Sequence, residues 1–273
     1  MTDADISSAS QPNQAAVYRR YLQLQSICRE RFSDTSADGL AGRLLTCVGF
    51  GVEGAELALA TTIAGGTFLG IDPSIENLKT AVRNGACDFM VNTLDESLRV
   101  LKNELRKKKA LSVGLFGEAK TILPAMIERG VQPDLVADSS ASNREAAPPY
   151  QASFQEFIER GAIEMKPPAA NNSHAHGFLD LTWTASSLAD LRRMDELALQ
   201  QIPADDFIRR RWLQHAPAYF HRQRPLRRVL GMRAEEITRL AEELKNAISA
   251  GEIQSPATLH WQTAEGSEQS IAL

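Results

Sequence analysis

An α/β fold of the Rossmann type is predicted, a parallel sheet with helices on both faces followed by a smaller mixed α/β lobe. Three observations predict it. Between Leu44 and Asp138 five short apolar runs alternate with helix-length segments, the pattern of βαβ units. The turn after the first run reads GFGVEG, placing Gly49, Gly51 and Gly54 in the spacing G-x-G-x-x-G. And 273 residues that are 43% hydrophobic suffice for one large core or two smaller ones.

The opening MTDADISSASQPNQ is polar and acidic. It is expected to be disordered, and it lacks the basic start and apolar stretch of a signal peptide. Ala15 to Phe32 reads as a helix, with Val17, Tyr18, Tyr21, Leu22 and Cys28 near helical spacing, and SDTSADGLAGR as a loop. LLTCVGF is then a strand, VEGAELALATTIAGG a helix and TFLGI the second strand. DPSIENLKTAVRNG is framed as a helix by Pro73 in its opening turn and Gly85 at its end. CDFMV is a strand, and LDESLRVLKNELRKKK is a helix with positive charge in its last turn. ALSVGLF, KTILPAMIERG and DLVAD complete the series as strand, helix and fifth strand. Burial of both sheet faces and right-handed crossovers follow from that alternation.

Beyond it, 139–150 and 166–177 read as loops rich in Pro, Asn and Ser. FLDLTWTA, RRVLGM and PATLHW read as strands, and SLADLRRMDELALQ through RAEEITRLAEELKNAIS as mostly helical, ended by Gly251. The expected division is a tail and helix over 1–39, a dinucleotide-binding domain over 40–150, and a smaller lobe over 151–273.

A net charge of −4 gives no general pull towards nucleic acid or an anionic membrane. No apolar run approaches the roughly 20 residues of a spanning helix. Three unpaired cysteines, Cys28, Cys47 and Cys87, read as reduced thiols of a cytoplasmic protein and not as a disulfide frame or metal site.

The glycine stretch follows a strand and opens a helix. In that context the first glycine makes the tight turn, the second admits a pyrophosphate to the backbone, and the third packs helix on strand. Asp72, 18 residues beyond Gly54, suits the acid that accepts from the adenosine ribose. It favours NAD over NADP, since no arginine stands beside it. The competing readings are that Asp72 caps the following helix and that Glu53 repels phosphate from the cradle. Ser139, Ser140 and Tyr150 follow the fifth strand, where a doubly wound sheet opens its ligand crevice, and are candidates for the nicotinamide end.

At this point the chain resembles a known family. GLAGRLLTCVGFGVEGAELALATTIAGGTFLGIDPS and VGLFGEAKTILPAMIERGVQPDLVADSSAS are similar to the NAD-binding domain of the urocanases (urocanate hydratases). WTASSLADLRRMDELALQQIPADDFIRRRW and SAGEIQSPA follow that family's later core, so the likeness covers about Gly39 to Pro256. The resemblance implies a lyase of histidine metabolism that holds NAD⁺ as an electrophile, adds water to urocanate and involves no net redox change. It also brings Glu118 in, on the fourth-strand turn, where the family has an asparagine before Ala119. The chain departs from the family elsewhere. NNSHAHGFLDLTW holds no cysteine to match the catalytic one. Ser139, Ser140, Ala141, Ser142 and Asn143 replace a cofactor-contacting run, and Gly70 replaces an acid. The family's long leading core and its closing Arg-Asp-His segment have no counterpart.

The expectation is therefore a urocanase-like NAD-binding protein that does not hydrate urocanate itself. The alternatives are a non-catalytic small-ligand or partner-binding module that has lost NAD, or one subunit of a split hydratase. A homo-oligomer or a second subunit is the expected assembly. His174 and His176 read better as an exposed polar loop than as a metal or acid–base pair. The eight arginines from Arg209 to Arg233, interleaved with Trp212, Tyr219 and Phe220, read better as partners of acids such as those in DEL and AEEL than as an RNA surface.

Overall fold

The computed structural model describes residues 11–32, 39–140, 147–168, 177–254, 256–262 and 268–273. The chain divides into two compact units, Met1–Pro167 and Pro168–Leu273. The expected disorder of the N-terminal tail lies outside the described residues.

In the first unit α1 (Gln14–Arg31) precedes β1 (Leu44–Val48), α2 (Val52–Ile63), β2 (Thr67–Asp72), α3 (Ile75–Arg83) and β3 (Phe89–Val91). These are followed by α4 (Leu94–Arg106), β4 (Leu111–Phe116), α5 (Ala119–Glu128), β5 (Leu135–Asp138), α6 (Gln151–Glu159) and β6 (Ile163–Met165). The strands form one six-stranded sheet in the order β3-β4-β2-β1-β5-β6, every pair parallel. β1 and β2 are buried along their whole length, as central strands covered on both faces must be. Leu44, Val48, Leu69, Ile71, Val113 and Leu115 share one buried cluster with α4, α5 and α6. Right-handed crossovers put α2 and α3 on the other face, and α1 packs on α2. Local chemistry sets the helix starts: Asn13, Ser74 and Thr93 accept from amides in the first turns of α1, α3 and α4.

The compact unit continues past residue 150 to Pro167. α6 and the three-residue β6 add a sixth strand beside β5, which short apolar content alone did not reveal. The register aligns the strand ends: Val48 lies opposite both Ile71 and Asp138, and Asp72 opposite Phe116. One edge of the sheet therefore collects the turns after β1, β2, β4 and β5. The strand order reverses between β1 and β5, the point at which doubly wound sheets open a crevice.

The second unit holds β7 (Leu179–Ala185), α7 (Leu188–Gln201), α8 (Phe207–Phe220), β8 (Leu226–Met232), α9 (Ala234–Ser249), β9 (Thr258–Gln262) and β10 (Glu268–Ala272). Its sheet is antiparallel, in the order β10-β9-β7-β8. β8 is an edge strand yet almost wholly buried. Side chains of α8 cover it: Trp212 Nε1 donates to the Val229 carbonyl at 2.7 Å and Arg209 to that of Gly231 at 3.4 Å, which removes the hazard of an open edge.

The arginine-rich stretch is used within this unit. Arg209 pairs with Glu236 and Asp206, and Arg228 with Asp195 at 2.7 Å. Arg210 donates to the carbonyls of Leu199 and Ile202, and Arg233 stacks on Phe178. The DEL acid is Asp195, as the sequence suggests, whereas the buried partner of Arg209 belongs to AEEI (Glu236) and not to AEEL. Trp183 Nε1 also donates to Asp195 at 3.0 Å. Burial raises the Asp195 carboxyl, and Arg228 opposes that rise. Among the described residues no helix is long and apolar enough to cross a membrane.

Removing one member of a buried pair strands the other charge. Asp195→Ala is expected to destabilise the second unit by about 3 kcal/mol, measured by urea unfolding followed through tryptophan fluorescence. A loss under about 1 kcal/mol would mean that Arg228 finds water in its place.

Candidate functional site

The three glycines of the β1–α2 turn differ in what surrounds them. Gly49 has φ +87°, and a Cβ there would lie 2.7 Å from Ser140 N and 2.8 Å from Ser140 Cα. The turn thus passes directly against the chain leaving β5, where only glycine fits. A Cβ on Gly54 would overlap the carbonyl oxygen of Gly49, so the third glycine seats α2 on the turn. Gly51 is the opposite case: nothing lies within 4 Å of its Cβ position. With φ −68° and ψ −161° it is the N-cap of α2, and no side chain caps that helix. The first-turn amides and the positive end of the helix dipole therefore face the open space over Gly51.

Asp72 holds the turn in shape. It is 4% exposed. One carboxylate oxygen accepts from Phe50 N at 2.6 Å and from Asn77 Nδ2 at 3.1 Å, the other from Ser74 N at 2.7 Å. The N-cap of α3 is Ser74 and not Asp72, so Asp72 is a latch between the glycine turn and the start of α3. The Phe50 ring is buried against Phe68 and lies over Gly70, where a Cβ would overlap it. The aromatic side chain thus fills the space beside position 70.

Glu53 stands at the first turn of α2 but is not left unbalanced. Arg20 of α1 reaches Glu53 at 3.3 Å and Glu56 at 3.6 Å. Arg20 is itself buried, so α1 carries a cation to the back of the cradle and offsets the acid charge there. Burial raises the Glu56 carboxyl, with Asn13 N and Arg20 acting against it.

Beyond β5, Ser139 N donates to the Val48 carbonyl at 2.8 Å and its hydroxyl lies 3.3 Å from Cys47 Sγ. Asp138, the last residue of β5, accepts from Ser140 N at 3.0 Å, from Ser140 Oγ at 2.5 Å and from Tyr150 OH at 2.8 Å. Ser140 Oγ and Tyr150 OH are also 2.8 Å apart. Ser139, Ser140 and Tyr150 are therefore brought together beside Gly49. The organising member, Asp138, escaped the sequence reading although it ends the fifth predicted strand just as Asp72 ends the second.

Glu118 follows β4 as the N-cap of α5, exposed and without a cap bond. The neighbouring Gly117 N donates to the Asp72 carbonyl at 3.1 Å, so Glu118 belongs to the same edge. Val52, Ile75 and Phe116, at 40%, 40% and 39% exposure, line it as well. They are three of the five large apolar side chains that stand exposed among the described residues, and together they form an apolar rim. Asn143, Asn171, Asn172, His174 and His176 lie outside the described residues. Among the described residues no group of three or more His, Cys, Asp or Glu is placed to hold a metal ion.

A doubly wound sheet with a glycine turn at its switch point defines a Rossmann-like domain. The family model of the urocanase Rossmann-like domain matches residues 14–180, and the chain belongs to the urocanase family. The match takes in α1 and all six strands of the first unit and ends in β7.

All three cysteines are buried. Burial pushes Cys47 up to about 12, with the Ser139 hydrogen bond acting against it, and pushes Cys87 up to about 12 as well. A thiol held protonated and out of solvent is a poor nucleophile. A chromogenic disulfide reagent at pH 8 is expected to modify none of them in the native protein and all of them after denaturation; a fast-reacting native thiol would contradict this burial. The glycines make a second prediction. Gly49→Ala is expected to lose about 2 kcal/mol or more through positive φ and backbone overlap. Gly51→Ala should stay within about 1 kcal/mol of the wild type. Denaturant midpoints of the two variants give the comparison.

Proposed function

We propose that this urocanase-family chain binds NAD along the C-terminal edge of its parallel sheet and does not itself hydrate urocanate. The observation that carries the binding is the asymmetry of the cradle: Gly49 and Gly54 are closed against backbone, whereas Gly51 opens onto free space at an uncapped helix start. A pyrophosphate placed there meets the amides of α2 with no side chain between. The apolar rim of Val52, Ile75 and Phe116 offers a surface for a flat base. Arg20 offsets Glu53, so that acid is no barrier to an anion. Asp72 serves by holding Phe50 and thereby the turn. Glu118, Ser139, Ser140 and Tyr150 sit along the same edge.

When bound, NAD⁺ would supply an electrophilic ring; the protein's share is to bind, orient and shield it. The burial of every thiol supports a chain that lacks a cysteine nucleophile or acid at this site, and with it the proposal that urocanate is not hydrated.

Native mass spectrometry of freshly purified protein, followed by denaturation and identification of released small molecules, tests the reading. NAD is expected in near-stoichiometric amount, or to bind on addition. Because Gly51 has ordinary φ and empty surroundings, Gly51→Val should remain folded and lower NAD affinity at least about tenfold, the loss of roughly one charge-assisted contact or more. Equal affinity in the two proteins would overturn the cradle. Consumption of urocanate by the purified chain would overturn the second half of the proposal.

A further inference from the structure

We infer that the cleft between α4 and the end of α5 is an anion site that takes a compact polyanion of the polyphosphate type. It is separate from the strand-end edge at which NAD is proposed to bind, and it does not rest on that reading.

The cleft has a volume of about 470 Å³ and is lined by Asp95, Leu98, Arg99, Lys102 and Arg129. That size lies within the range of about 300–1,000 Å³ usual for small-molecule sites. Four of the five lining residues come from α4, where the spacing 95, 98, 99 and 102 puts them on one stripe of the helix. The fifth, Arg129, is the C-cap of α5. α5 starts at the β4 turn and runs from Ala119 to Glu128, so Arg129 lies about 15 Å along that helix, away from the strand ends. Leu98 is 7% exposed and gives the cleft its floor.

Charge decides what such a cleft accepts. Three cations and one acid line it, in a chain whose net charge is −4. The acid is already engaged, since Asp95 pairs with Arg129. Arg99 and Lys102 are exposed, and among the described residues neither pairs with an acid. Glu96 and Glu128 are sequence neighbours of lining residues but do not line the cleft. Arg106 continues the α4 stripe, and Lys107, Lys108 and Lys109 follow it, all exposed. Of these, Lys107 pairs with Glu104. The remaining charge extends the positive field around the cleft and draws anions towards it. A single exposed ion pair contributes little in water, so a singly charged anion gains little here. A ligand with several charges in a small volume meets Arg99, Lys102 and Arg129 together, and two guanidinium forks suit phosphoryl oxygens.

Isothermal titration of inorganic phosphate and inorganic tripolyphosphate at low salt tests this. Full-length Gly51→Val is the protein to use, because a side chain there closes the open space at α2. Tripolyphosphate is expected to bind it at one site with Kd below about 1 mM, at least about tenfold tighter than phosphate. Adding Arg99→Ala and Lys102→Ala together should weaken tripolyphosphate at least about tenfold. Both residues are exposed and alanine favours a helix, so the denaturant midpoint should hold. Adding Asp95→Asn instead releases Arg129 and should tighten tripolyphosphate about threefold, a gain that damage to the fold cannot produce. In the chain with Gly51 intact, the paired alanines should leave NAD⁺ affinity within about twofold. Tripolyphosphate that does not bind, binds no tighter than phosphate, or is unaffected by the paired alanines or by Asp95→Asn overturns the inference. None of these results bears on the glycine cradle.

Discussion

The site depends on one close approach, the passage of the β1–α2 turn against the chain leaving β5. Positive φ at Gly49 lets the backbone turn away from β1, and the missing Cβ lets Ser140 come within reach of that turn. Everything along the edge is referenced to this contact. Gly54 can seat α2 only because the Gly49 carbonyl is where it is, and Ser139 can donate to Val48 only because β5 runs beside β1. The crevice is thus a consequence of strand order made concrete at a single glycine.

Two further interactions hold that geometry without a ligand. Asp72 binds Phe50 N and the start of α3, so the turn is tied to β2 as well as to β5. A buried carboxylate is tolerable because its oxygens meet three donors. Arg20 brings a positive charge from α1 to Glu53 and Glu56. α1 belongs to the same compact unit and to the residues matched by the family model. A turn fixed in this way has little conformational freedom left to lose.

Much of the fold was legible because strands and helices alternate with clean punctuation. Gly49, Gly51 and Gly54 fall between an apolar run and a helix, and their environments are a turn closed against the chain after β5, an open helix start and a helix seated on the turn. What was not legible depended on contacts distant in sequence. β6 is three residues long and is recognisable only beside β5. The burial of Asp72 cannot be read from a strand-terminal acid, since nothing in the sequence states that Phe50 N, Ser74 N and Asn77 meet its carboxylate. Asp138 meets Tyr150 twelve positions along, a contact that no local pattern announces. In the second unit the sequence suggests that the arginines pair with acids, but nothing in a run of basic residues states which acids: Glu236 and Asp195 lie buried opposite Arg209 and Arg228.

Phe50 bears on the altered position 70. Its ring occupies the space beside Gly70, which lies opposite Gly114 in the register, and packs on Phe68. An acid at position 70 and an aromatic ring at position 50 compete for one volume, so the two positions form a single choice. On the β2 side of the edge Ile75 stands exposed, and the acid there, Asp72, is buried and accepts from Phe50 N. Hydrogen-bonding capacity then lies on the β5 side with Asp138, Ser140 and Tyr150, and on the β4 turn with Glu118. Family membership therefore carries the architecture, and these polar groups stand around the turn that we propose as a phosphate cradle.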